Sequence, residues 1–138
     1  MSRSFYQWLA TAFVLGLLAA GPASAARTAE IYEPEIEVPA GKNLSDVKSA
    51  IRKAFFARDW RAKDLGANEM LGTHTKSSRK GADHKAVVLV KYDNKTIKIQ
   101  YKESEELNYD AETKKIHGTY NKWVKNLEKD IRANLGAY

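Results

Sequence analysis

Residues 84–102 constrain the fold of this chain more than any other stretch. His84 to Tyr92 (HKAVVLVKY) and Thr96 to Lys102 (TIKIQYK) flank Asp93-Asn94-Lys95. Two strand-like runs joined by residues that tolerate left-handed backbone read as an antiparallel hairpin. Successive strand side chains point to opposite faces of a sheet. Ala86, Val88, Val90 and Tyr92 therefore share a face with Ile97, Ile99 and Tyr101, and that face looks into the core. The other face carries Val87, Leu89 and Lys91, then Lys98, Gln100 and Lys102. An apolar sheet face must be covered by another layer.

Two amphipathic helices can supply that layer. Leu44, Val47, Ile51, Ala54 and Phe55 recur at helical spacing within residues 43–58, with Asn43 or Ser45 as cap. Ile116, Tyr120, Trp123, Leu127, Ile131 and Leu135 form a second stripe, which Gly136 terminates. Residues 60–76 read as strand, turn and strand, followed by a basic polar loop, Lys76 to Asp83. Residues 103–115 read as an acidic connection anchored by Leu107 and Tyr109. The expected fold class is α+β: a small, mostly antiparallel sheet of about three to five strands with two amphipathic helices packed on one face. The expected order is β-α-β-β-β-β-α, with the second sheet face partly open.

The N-terminus reads as an export signal. Arg3 precedes a twelve-residue apolar run, Leu9 to Ala20, then Gly21-Pro22 and Ala23-Ser24-Ala25. That run is shorter than the roughly twenty residues a membrane-spanning helix needs, and the small residues suit a signal peptidase. Residues 1–25 are expected to be a signal peptide, cleaved after Ala25 or Ala26. Residues 26–42 form a tether with an edge strand at Glu35–Val38, and residues 43–138 a single domain. The expected location is the periplasm or the medium. The chain has no cysteine, which excludes disulfides, thiolate chemistry and a lipidated cysteine.

The net charge is +6, and it is unevenly spread. Residues 26–41 hold one basic and four acidic side chains, a net of −3. Residues 42–102 hold fifteen and six, a net of +9, and residues 103–138 hold six and seven, a net of −1. In an exported protein a basic middle favours an anionic envelope component or another exported protein over nucleic acid. Lys91, Lys98 and Lys102 on the open face, with Arg79, Lys80 and Lys85 in or beside the preceding loop, are the candidate binding residues.

The polar residues give a second candidate, a pocket of His84, Ser104, His117, Tyr120 and Asn121 at one end of the domain. The three histidines, His74, His84 and His117, lack the spacing of a helical metal site, and no metal is assigned. Ser104 has acidic neighbours and no adjacent glycine, a poor setting for an oxyanion. Gly66, Gly72 and Gly81 are isolated, so no phosphate loop or cofactor is assigned. Trp60 and Trp123 are read as core anchors.

The segments His84–Asp93 and Thr96–Leu107, with the IHxxYNxW pattern of Ile116–Trp123, resemble a group of small exported proteobacterial proteins and lipoproteins of uncharacterised function. The resemblance implies an exported setting and a fold style, not a reaction. The reading is a non-enzymatic periplasmic binding or accessory module. Two others stay open: a small metal-dependent or hydrolytic enzyme built on His84 and His117, and a structural or inhibitor-like protein acting on another exported protein.

Overall fold

The computed structural model describes residues 27–137; the expected signal peptide lies outside them. The elements run β1 (Thr28–Glu30), β2 (Glu35–Glu37), α1 (Leu44–Ala57), β3 (Arg61–Asp64), β4 (Glu69–Lys76), β5 (His84–Tyr92), β6 (Thr96–Glu105), β7 (Lys115–His117) and α2 (Gly118–Leu135). The fold is α+β. Five strands form an antiparallel sheet in the order β2-β6-β5-β4-β3, and β1 pairs antiparallel with β7 in a separate ribbon. Among the described residues no helix is long and apolar enough to cross a membrane.

Local chemistry sets the element ends. Asn43 accepts from the Asp46 amide while Asp46 accepts from the Asn43 amide, a reciprocal cap that starts α1. Gly136, at φ 70°, ends α2 in the left-handed conformation that suits glycine. The hairpin turn is held by Asp93, whose Oδ1 accepts from the Lys95 and Thr96 amides, both at 2.7 Å. Those backbone donors also hold the Asp93 carboxyl below the usual carboxylate range.

Both helices cover one face of the five-stranded sheet. Val47, Ile51, Ala54 and Phe55 of α1 and Val124, Leu127 and Ile131 of α2 pack with Met70, Val88, Val90, Ile97 and Ile99, all within one buried cluster. Leu44 departs from the expected stripe: it lies at the helix end and is 38% exposed, while Ala50 takes a core place. Gly72 leaves room for the Phe55 ring, with which an added Cβ would collide. Arg58 clasps Asp130 of α2 through the Nε and Nη2 donors of one guanidinium edge, at 2.7 and 3.1 Å, and joins the helices at the surface.

Three features differ from the sequence expectation. First, the last helix begins at Gly118 rather than near Ile116, because Lys115–His117 pair with Thr28–Glu30 as β7. Second, β6 continues to Glu105, into the stretch expected as a connection. Third, β6 contains a bulge. Val88 pairs with Tyr101 and Val87 with Glu103, so Lys102 is the extra residue without a partner across β5. The bulge shifts the phase of alternation, which brings Ser104 opposite buried Ala86 and puts Glu103 and Glu105 with Lys85 on the other face. Without it, the two glutamates would point at the helices.

Candidate binding face

The uncovered face of the sheet follows from the register. Ile36, Met70, Gly72, Val88, Val90, Ile97 and Ile99 face the helices, so their neighbours along each strand face away. The centre of this outer face is apolar. Leu71 and Leu89 are directly paired, and Thr73 pairs with Val87, which its neighbours leave only 5% exposed.

Charges surround that centre in two separate groups. The half formed by β3, β4 and β5 presents Arg61, Lys63, Lys85 and Lys91 against Glu69, four cations to one anion, a net of +3. The half formed by β6 and β2 presents Lys98 against Glu35, Glu37, Glu103 and Glu105, one cation to four anions, a net of −3. The outer strands β3 and β2 are four strand spacings apart, about 19 Å at roughly 4.8 Å each. The screening length at physiological salt is about 8 Å. The charges of β3 and β2 are therefore screened from each other, whereas Lys85 of the basic half meets Glu103 and Glu105 of the acidic half directly.

Several candidate lysines have anionic neighbours within the protein. Lys85 lies 3.8 Å from Glu103 and 3.7 Å from Glu105. Lys91 is flanked by Glu69 and Lys98 by Glu35 across the sheet, although they also face each other. Among the described residues, Arg61, Lys63, Lys91 and Lys98 make no ion pair. Lys102 leaves the regular row at the bulge. Arg79 and Lys80 are exposed in the loop before β5. Sequence reasoning missed Arg61 and Lys63 as members of this face. Their signal was the alternation with Ala62 and Asp64. Asp64 faces the helix side and pairs with Lys48 and Arg52 of α1. Burial pushes its carboxyl up, but those two cations outweigh it and hold the group below the usual range.

The residues of the expected polar pocket have separate tasks. His117 caps α2, its Nδ1 accepting from the Thr119 amide at 3.1 Å. Asn121 bridges to the N-terminal segment: its amide donates to the Glu30 carbonyl at 2.8 Å and accepts from the Tyr32 amide at 2.9 Å. Ser104 and Tyr101 share a hydroxyl hydrogen bond of 2.9 Å, and the Tyr101 ring meets Tyr109 and Tyr120. Tyr120 is fully buried; burial above all, then the charge of Glu33, pushes its hydroxyl pKa up. His84 starts β5 opposite Lys76. Among the described residues, no hydrogen bond or ring contact joins His84 to His117, and no group of three acidic or histidine side chains could hold a metal ion.

The histidine with the most contacts is His74, which was assigned no role from the sequence. Its ring stacks on Trp60 at 5.2 Å and meets Trp123 edge-on at 4.6 Å. Trp60 is 6% exposed and Trp123 packs against the core, as expected of anchors. His74 shares the helix-side phase of Met70 and Gly72, which is the pattern that could have revealed it. No family model matches this chain, and neither does any curated protein.

Proposed function

We propose that this protein is an exported, non-enzymatic binding module that contacts an anionic component of the cell envelope through the basic half of its open sheet face. One observation carries the reading. Three cations without an ion pair among the described residues, Arg61, Lys63 and Lys91, border the uncovered apolar centre on β3 and β5, and Lys85, which pairs with Glu103 and Glu105, adds a fourth. Arg79 and Lys80, in the loop entering β5, extend the basic region. The resemblance to small exported proteobacterial proteins supports the setting, and the N-terminal apolar run supports the route. The IHxxYNxW residues belong, in this reading, to the scaffold that holds the face in shape.

The test uses vesicles. The protein should co-sediment with vesicles containing phosphatidylglycerol and not with neutral phosphatidylcholine vesicles, and added salt should release it. Each basic residue near an anionic surface contributes about 1 kcal/mol. Reversing two, in the K63E/K91E variant, should weaken binding at least about tenfold. Lys98→Glu, in the acidic half, should matter less. Binding that ignores both salt and the K63E/K91E change would overturn the reading.

A further inference from the structure

A second site lies apart from the basic face, between the β1–β7 ribbon and β6. The chain leaves β1 at Glu30, and two hydrogen bonds fix its path. The Ile31 amide donates to the Lys114 carbonyl at 3.0 Å, and Glu33 Oε2 accepts from the Tyr101 amide at 3.0 Å. Facing this segment, residues 106–114 return from β6 to β7. Glu106, Asn108 and Lys114 hold φ values of 57°, 52° and 53°, a left-handed backbone that side chains other than glycine rarely adopt. Packing therefore sets the course of this loop. Leu107, 1% exposed, anchors it, and the Tyr109 ring lies on the Tyr101 ring at 4.3 Å and 30°. Tyr109 itself stays 38% exposed. Glu30, Glu33, Tyr101, Tyr109 and Lys114 line a cleft of about 480 Å³. Small-molecule sites span roughly 300–1,000 Å³.

We propose that this cleft binds a small organic cation of the alkylammonium class, its charge beside Glu30 and Glu33 and its carbon chain against the tyrosine rings. Aromatic faces attract cations through the ring quadrupole, and carboxylates accept hydrogen bonds from an ammonium group. Among the described residues neither glutamate makes an ion pair, and no cation lies over the Tyr101 or Tyr109 ring. Lys114 is the one cation in the lining, which leaves a net charge of −1 from two carboxylates and one ammonium. Burial chiefly raises the hydroxyl pKa values of Tyr101 and Tyr120, and carboxylates raise them further, Glu103 at Tyr101 and Glu33 at Tyr120. The rings thus sit in a negative field. Tyr120 supplies a further, independent observation. Its ring meets Tyr101 edge-on at 5.7 Å, and its fully buried hydroxyl has no hydrogen-bond partner among the described residues. A buried hydroxyl left unpaired is costly. An ammonium group drawn in beside Glu33 offers that oxygen a donor. An anion would meet two carboxylates here, and an uncharged ligand would gain nothing from the field.

Amide NMR titration with butylammonium chloride, at constant ionic strength, tests the site. The Tyr101, Tyr109 and Lys114 amides should shift together and saturate at millimolar ligand. The Tyr101 amide reports on Glu33 directly, because it donates to that carboxylate. The Lys63 and Leu89 amides, on the open sheet face, should stay in place. The uncharged isostere 1-butanol should bind far more weakly. E30Q/E33Q should weaken butylammonium binding at least about tenfold. Gln at position 33 keeps an oxygen for the Tyr101 amide, so this variant should fold, and its spectrum verifies that. Glu30→Gln alone, at an exposed strand position, should weaken binding several-fold. Tyr109→Ala should cost roughly threefold in affinity and Tyr109→Phe much less, since the ring face and not the hydroxyl makes the contact. Lys114→Gln should bind more tightly, because it removes a like charge. Equal binding of 1-butanol or of N-acetylglucosamine would overturn the proposal, as would the absence of any shift at high millimolar butylammonium. So would a folded E30Q/E33Q, Glu30→Gln or Tyr109→Ala protein that binds as before, or a Lys114→Gln protein that binds more weakly. The cleft shares no residue with the basic face, so this test and the vesicle assay fail independently.

Discussion

Asn121 uses one side-chain amide to fasten two distant backbone groups, the Glu30 carbonyl and the Tyr32 amide. The Tyr32 hydroxyl adds a hydrogen bond of 2.6 Å to Glu128, so α2 grips the N-terminal segment at two points. The Glu128 carboxylate, as acceptor of that bond, raises the Tyr32 pKa. Asn121→Ala should cost about 1–3 kcal/mol, since it also leaves the partly buried Tyr32 amide unpaired. Hydrogen exchange offers a specific check. The Tyr32 amide should lose protection, while the Ile31 amide, bonded to the Lys114 carbonyl, should keep more of its own. Equal protection of Tyr32 in both proteins would show that the clasp is not holding the segment. The IHxxYNxW residues stood out in the sequence, but their tasks did not. Ile116 fills the core, His117 caps, Tyr120 is buried, Asn121 clasps and Trp123 meets His74. Each task depends on a partner at least two residues away, and most on one more than forty residues away.

At the scale of elements, β6 shows how one residue alters a whole face. Lys102 absorbs a slip of one position, and Tyr101 and Ser104 consequently share the helix side. Deleting Lys102 should leave a regular strand, with Tyr101 and Ser104 inward and Glu103 and Glu105 outward. Deleting Gln100 should turn Tyr101 outward and carry Lys102 toward the helices, because a slip of one residue exchanges the two faces. The Lys102 deletion should therefore unfold cooperatively, with a loss of no more than about 3 kcal/mol. The Gln100 deletion should give no cooperative transition. Urea unfolding followed by tryptophan fluorescence would compare them, and similar behaviour of the two deletions would contradict the bulge as the site of the phase shift. The hairpin itself was legible in the sequence, because alternation and an Asp-Asn turn are local signals. The bulge was not, since Lys102 is an unremarkable residue for either face and only the pairing across to β5 reveals it. The ribbon of β1 and β7 was hidden for a related reason: its three-residue strands carry almost no pattern of their own.

On the scale of the whole molecule, the N-terminal segment, expected as a tether, supplies a structural edge. Ile36 is fully buried, and β2 covers one side of β6. A chain beginning at Asn43 would lose that strand, the clasped segment and the Ile36 side chain. The Ile36 contribution alone is about 2–5 kcal/mol, judged from substitutions that empty a core site. The shortened chain should therefore unfold at a much lower urea concentration than one beginning at Arg27. An unchanged midpoint would show that residues 27–42 contribute nothing to stability. This edge strand also decides the electrostatics of the open face. The sequence by itself determined the two helices, the central hairpin, their apolar stripes and an acidic–basic–acidic order of charge, since these are properties of neighbouring residues. Only the tertiary structure turned that order into two opposed halves. Strand order sets the acidic N-terminal β2 against the first residues of β6, whose far end carries Glu103 and Glu105, and leaves β3, β4 and β5 as the basic flank. Which strands become neighbours is settled by burial and long-range backbone pairing among segments far apart in the chain, and a linear count of charges does not contain that information.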